Sequence, residues 1–171
     1  MVHKTKLHLL DNGVAQVGIL VKDLDVTVEL YYSTFGIGPW HFYTYEKPMV
    51  KEMTYYGKPA NYCMRLALSY FGPMRIELIE PGEGDSVYQD FVNEHGYGIH
   101  HLGLLTNDMR ASIKETKAAG INMIMDGQGF GLEGDGHYAY LDTEEKFGVT
   151  LELIERPKGR LKPEKIYPPE N

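Results

Sequence analysis

Apolar and polar positions fall into runs that recur along the chain. Residues 14–21 carry Val14, Val17, Ile19, Leu20 and Val21 in a short apolar run, which predicts a buried strand. A helical pattern follows, capped at Asp25 or close to it, running to about Thr34 and stopping before Gly36. From Gly38-Pro39 the chain passes through Trp40 and several tyrosines as an irregular segment that leads into strands. Residues 61–70 and 74–80 read as two strands joined at Gly72-Pro73, a turn signal. Asp85 or Ser86 caps a short helix with Val87, Phe91 and Val92 apolar, ending at Gly96. Residues 98–105 form the next strand, and Asp108 opens a helix that ends near Gly120. Strands near 121–126, 137–142 and 149–155 follow, with glycine-rich 127–136 as a mobile loop. The Lys- and Pro-rich tail from Pro157 reads as an irregular arm.

Two of these segments resemble each other. Gln16-Val-Gly-Ile-Leu-Val-Lys-Asp23-Leu matches His101-Leu-Gly-Leu-Leu-Thr-Asn-Asp108-Met. Arg75-Ile-Glu77-Leu-Ile-Glu80-Pro81 matches Thr150-Leu-Glu152-Leu-Ile-Glu155-Arg-Pro157. The order of apolar strand, helix, middle segment and apolar strand with a central Glu therefore occurs twice. Gln16 and Glu77 are 61 residues apart, His101 and Glu152 are 51 apart, so the first copy holds an insertion of about ten residues within 39–62. Two copies are too few for a solenoid. They predict one paired, pseudo-symmetric unit over 1–171: module one about 14–82, a linker helix about 85–96, module two about 98–156, and a tail 157–171.

Composition narrows the partners. A chain of 171 residues, 43% hydrophobic and 24% charged, suits one compact domain with a real core. The formal net charge of −7 argues against nucleic acid. With Cys63 as the sole cysteine there is no intrachain disulfide, which fits a reducing cytoplasm. The N-terminus lacks the apolar stretch of a signal peptide, and no run approaches the ~20 apolar residues of a membrane span. The expectation is a cytoplasmic protein with a small-molecule partner.

The repeat puts Gln16 opposite His101 and Glu77 opposite Glu152. Each Glu lies between two aliphatic residues, where an ionised carboxylate is costly unless paired or bound to metal. If the modules form a cleft, pseudo-symmetry gathers one imidazole, one amide oxygen and two carboxylates. That mixed nitrogen and oxygen set suits one divalent ion such as Zn, Ni, Co, Mn or Fe. In Gly98-Ile-His100-His101-Leu-Gly103 the second His matches Gln16, so His101 is the candidate ligand. Simple alternation turns His100 to the other face, as a packing or hydrogen-bonding residue. Arg65 and Arg75 could hold a carboxylate or phosphate, but the pattern favours an exposed strand face for both.

The segments QVGILVKDLD, RIELIEP, GYGIHHLGLLTND, HYAYLDT and GVTLELIE together resemble the vicinal oxygen chelate superfamily over roughly residues 14–156. That group includes glyoxalase I, methylmalonyl-CoA epimerase, extradiol dioxygenases and antibiotic-resistance binding proteins. The resemblance implies an α+β fold of two βαβββ modules in pseudo-twofold arrangement around a metal-binding cleft, commonly as a homodimer. It places metal ligands on Gln16, Glu77, His101 and Glu152. It implies proton transfer next to a carbonyl, with Glu152 and Glu77 as the acid/base pair. The stretch from Ile76 to Gly103 is most similar to the methylmalonyl-CoA epimerases, which implies an epimerase or isomerase acting on a carbonyl or acyl-CoA compound. The Gln, Glu, His, Glu set is similar to that of animal-type glyoxalase I, so a lactoylglutathione lyase is the alternative. A non-catalytic binding protein of the same fold is a further one. His137, Trp40 and Tyr140 are the expected substrate contacts, Trp40 with Tyr43 and Tyr45 as an apolar pocket wall.

Overall fold

A computed structural model describes residues 7–10 and 12–169; the remainder of the expected single unit, including the first six residues and the last two, lies outside the described residues. The first module runs β1 (Val14–Leu20), α1 (Leu24–Phe35), β2 (Trp40–Tyr45), β3 (Glu52–Tyr55), β4 (Lys58–Pro59), β5 (Met64–Phe71) and β6 (Met74–Pro81). After α2 (Val87–His95) come β7 (Gly98–Leu105), α3 (Met109–Ala118), β8 (Met123–Phe130), β9 (Gly136–Leu141), α4 (Glu144–Phe147), β10 (Thr150–Glu155) and β11 (Lys165–Tyr167).

The helix starts follow from local chemistry. Asp23 rather than Asp25 caps α1, its carboxylate accepting from the Val26 amide, and Gly36 ends the helix in the left-handed region. Ser86 caps α2 and Asp108 caps α3 in the same way.

All the strands join one sheet in the order β11-β2-β5-β6-β1-β7-β10-β9-β8-β3-β4. Within each module the first and last strands pair in parallel, β1 with β6 and β7 with β10. The modules meet where β1 and β7 pair antiparallel, so β6, β1, β7 and β10 form the centre. This is the mixed α+β architecture of two βαβββ modules that the repeat and the resemblance implied.

The sheet curls on itself. Seven strand spacings separate β2 from β8, roughly 34 Å across a flat sheet. Yet the rings of Tyr45 on β2 and Phe130 on β8 are 5.1 Å apart. One apolar cluster, with Leu66, Leu68, Ile79, Met125, Tyr138 and Tyr140, fills the inner face, and Val87 and Tyr88 of α2 close part of it. On the outer face α1 packs Leu24 and Val28 onto Trp40, Ala67 and Leu78. There α3 packs Met109 onto Leu104, Ala139 and Leu153.

Three segments differ from the sequence expectation. The insertion in module one forms the β3–β4 hairpin and crosses to pair with β8 of module two. The glycine-rich stretch is a loop only over 131–135, because β8 continues to Phe130. Its glycines make room inside the sheet: a Cβ on Gly127 would collide with the Tyr138 ring, and one on Gly136 with Phe130. The tail is not an irregular arm throughout, since β11 pairs antiparallel with β2. Glu164 anchors it by accepting from the Thr44 amide at 2.8 Å.

Candidate metal centre

The four matched residues stand on the four central strands: Gln16 on β1, Glu77 on β6, His101 on β7 and Glu152 on β10. Gly18 is in register with both Glu77 and His101, and Gly103 with both Gln16 and Glu152. The two glycines are equivalent in the repeat and do the same work. A Cβ on Gly18 would collide with the His101 imidazole, and one on Gly103 would press on the Gln16 Cβ and the Ile154 side chain. Each module's first strand thus leaves a gap into which the other module's ligand side chain fits.

The side chains converge. Donor atoms of Glu77, His101 and Glu152 all lie within 4.8 Å of one another, and all three residues are buried. His101 has no exposed surface, and its Nε2 stands 3.1 Å from Glu152 Oε2 and 3.4 Å from Glu77 Oε2. The Gln16 amide donates to both carboxylates, at 2.8 Å to Glu77 and 3.1 Å to Glu152. Its oxygen accepts from Arg75 Nε at 2.5 Å.

The charges in this cluster are strongly perturbed. Burial works against a charge on His101, but the Glu152 and Glu77 carboxylates outweigh it and lift the group to about 9. Burial raises the Glu152 carboxyl, against the pull of His101. Two carboxylates sealed from water around one imidazole need a compensating positive charge. A divalent cation supplies it, and one nitrogen with carboxylate oxygens is a donor set such an ion accepts. The residues present therefore fit a divalent metal.

His100 has the expected packing and hydrogen-bonding role but not the expected face. The β1–β7 register slips between Gly18 and Ile19, so that Gly18 pairs with His101 and Ile19 with Ile99. The extra residue on β7 is His100, and the irregularity breaks the alternation that would have sent it to the outer face. It sits among Tyr88, Phe91 and Tyr140, with its Nδ1 3.0 Å from the Nδ1 of His101. Burial and the neighbouring His101 push His100 down to about 2, so it is the neutral acceptor and His101 Nδ1–H the donor. That bond leaves His101 Nε2 facing the carboxylates.

A cavity opens from the cluster, lined by Gln16, Arg75, Glu77, Glu152 and the rings of Tyr43, Tyr45, Phe130, Tyr138 and Tyr140, with Arg156 and Arg160 on its tail side. Of the expected substrate contacts, Tyr140 lines this cavity and lies 5.1 Å, ring to ring, from His101. Trp40 is fully buried in the α1 core, its indole donating to the Ile37 carbonyl at 2.6 Å. His137 lies outside the cavity and pairs with Asp126 at 2.8 Å. Arg75 also departs from expectation: it is 4% exposed and lines the cavity. Its alternation with Glu77 along β6 could have placed it there, since residues two apart share a strand face. Arg65 has the expected part-exposed position, bridging Asp25 and Glu80.

Paired βαβββ modules carry on their central strands a buried carboxylate–imidazole cluster that could hold a metal. The chain belongs to the glyoxalase/bleomycin resistance protein/dioxygenase superfamily, whose pattern it matches over residues 15–140. It is 26% identical over 148 residues to the Bacillus subtilis (strain 168) protein YqjC, covering 86% of this chain and 94% of that one. It is 28% identical over 97 residues to 4-hydroxyphenylpyruvate dioxygenase of Pseudomonas aeruginosa, covering 54% of this chain and 25% of that enzyme. Among solved structures, methylmalonyl-CoA epimerase of Mycobacterium tuberculosis superposes with a TM-score of 0.64 at 23% identity, over 92% of this chain and 95% of that one. A Streptomyces coelicolor methylmalonyl-CoA epimerase variant bound to 2-nitronate-propionyl-CoA gives 0.63 at 22% identity, over 86% and 96%. Among the described residues, no helix is long and apolar enough to cross a membrane.

Proposed function

We propose that this chain is a metal-dependent isomerase of the epimerase type, which removes and returns a proton next to a carbonyl. The observation that carries the reading is the approach of two buried carboxylates, from equivalent strands of the two modules, to one imidazole at the base of a cavity walled by apolar and aromatic side chains. Glu77, His101 and Glu152 would hold the ion. Gln16 would join them through its amide oxygen, which now accepts from Arg75. The metal, when bound, polarises the carbonyl and so acidifies the adjacent C–H.

The rest belongs to the protein. Glu77 and Glu152 enter from β6 and β10, on opposite sides of β1 and β7. A substrate carbon between them can lose its proton to one carboxylate, and the planar carbanion so formed can regain one from the other, which inverts or relocates the hydrogen. In the metal-free protein burial raises the Glu152 carboxyl, the direction that proton removal near neutral pH favours. Tyr140 closes the site beside His101, and the Tyr43, Tyr45, Phe130 and Tyr138 rings keep water from the reacting carbon. The likeness to methylmalonyl-CoA epimerases supports an acyl thioester as substrate. The presence of Gln16 at the centre favours one second reading, a glyoxalase-type shift of a proton within a hemithioacetal.

Proton exchange tests this. Metal-loaded protein in D2O should exchange the α-hydrogen of methylmalonyl-CoA or of a glutathione hemithioacetal, followed by NMR. Glu152→Gln should slow the exchange by about 10²–10⁴-fold. Absence of exchange on both substrate types would refute the reading.

A further inference from the structure

Arg75 is a buried guanidinium with work left to do. Its Nε serves Gln16, while its terminal amines have no hydrogen-bond partner among the described residues and belong to the cavity lining. Ser69 Oγ is the one fully enclosed side-chain polar atom without a partner among the described residues, so the Arg75 amines are not sealed in. They reach the cavity.

Arg75 is not alone there. The tail leaving β10 carries Arg156 and Arg160 along the cavity, close enough that their charges add to burial in disfavouring the Arg75 cation, against the pull of Glu77 and Glu152. None of the three forms an ion pair with a carboxylate among the described residues. The contrast with their neighbours is direct: Lys158, between them in the tail, pairs with Glu133 at 3.6 Å, and Arg65 pairs with Asp25 at 2.8 Å. In a chain of net charge −7, three uncompensated cations around one cavity are out of keeping with the surface at large. The Glu77 and Glu152 charges do not answer them once a divalent ion is bound.

We propose that Arg75, Arg156 and Arg160 bind a carboxylate of the substrate. A planar guanidinium with two free amines matches a carboxylate in a forked pair, and Glu77 and Glu152, the candidate metal ligands, are the only carboxylates in the cavity lining. Arg75 touches Gln16, and Gln16 touches both Glu77 and Glu152. The carboxylate and the reacting carbon are therefore only a few atoms apart. The substrate class is a short acid whose carboxylate lies near the reacting carbonyl, with an apolar body against the aromatic wall. This rests on the metal-site reading, both for the position of the reacting carbon and for leaving the arginines without an answering carboxylate.

Calorimetric titration with malonate, and with dimethyl malonate as its uncharged counterpart, tests it on metal-loaded and on chelator-treated protein. Malonate should bind saturably and the diester should not. The paired variant Arg156→Ala/Arg160→Ala changes only exposed side chains. It should weaken malonate by about tenfold or more, and Arg75→Gln should weaken it further. Lys158→Ala should leave it unchanged. The metal content of the paired variant should match that of the parent, so a failed anion site and a failed metal site give different results. Malonate that does not saturate, or that binds the parent and the paired variant equally, overturns the proposal. So does binding that chelator abolishes and the arginine changes leave untouched, because the anion then sits on the metal alone.

Discussion

At the scale of single residues, the site depends on what is missing as much as on what is present. At positions 18 and 103 the lack of a side chain lets His101 and Gln16 cross between modules. Gly18→Ala should push the His101 ring out of place, lower metal occupancy and cost about 1–3 kcal/mol of stability through overpacking. Metal analysis and urea unfolding would check it, and unchanged occupancy would show that the ring has room to spare. His101 sets a pH dependence. In the metal-free protein its proton is held up to about pH 9, against an ordinary value of 6.5. A raised value adds stability that is complete below 6.5 and is lost as the pH rises through about 9. Metal-free protein should therefore lose a few kcal/mol between those limits. Metal binding expels the same proton, so affinity should rise by about tenfold per pH unit over that window. Both trends are measurable by denaturation and metal titration at stepped pH. A metal affinity flat across the window would mean that His101 is not a ligand.

At the scale of elements, the edges of the sheet are closed by pieces that come from elsewhere in the chain. The β3–β4 hairpin of module one covers β8 of module two, and β11 covers β2. Lys165 fixes β11 by reaching Asp25 at 2.6 Å and lying over the Phe42 ring at 4.8 Å. Lys165→Ala should cost under about 1 kcal/mol, because the pair is solvent-exposed, and should speed hydrogen exchange at the Thr44 amide. Lys165 and Arg65 hold the Asp25 carboxyl below its ordinary 3.8. Its contribution is present above that value and fades as the pH falls through the depressed one. The tail should then loosen in acid before the rest of the sheet, visible as early exchange at β2 and β11. Uniform exchange across the sheet in acid would contradict this.

These edge pairings mark the limit of what could be read from sequence. Local signals gave the caps at Ser86 and Asp108, the turn at Gly72-Pro73 and the four strands of the repeat ends. Gln16, Glu77, His101 and Glu152 were recognisable as a group because the repeat places them in equivalent positions. The partner of β3, the docking of β11 and the irregular register at His100 depend on pairing across long separations, which no local pattern encodes. The family resemblance put Trp40 and His137 at the cavity, yet packing against α1 and pairing with Asp126 account for their places. Arg75 read as an exposed residue because arginine usually is one.

Across the molecule, the site is a product of symmetry. Two copies of one βαβββ unit place their first strands side by side, and the ligand side chains of both units meet at that seam. Neither module alone holds more than half of the cluster. Elemental analysis of purified protein, beside Glu152→Gln and His101→Ala, tests the central claim most directly. The account predicts close to one divalent metal ion per chain, lost or sharply reduced in both variants while their far-ultraviolet circular dichroism stays that of the parent. Protein that takes up no metal after incubation with Zn, Ni, Co, Mn or Fe, or variants that retain as much metal as the parent, would contradict it.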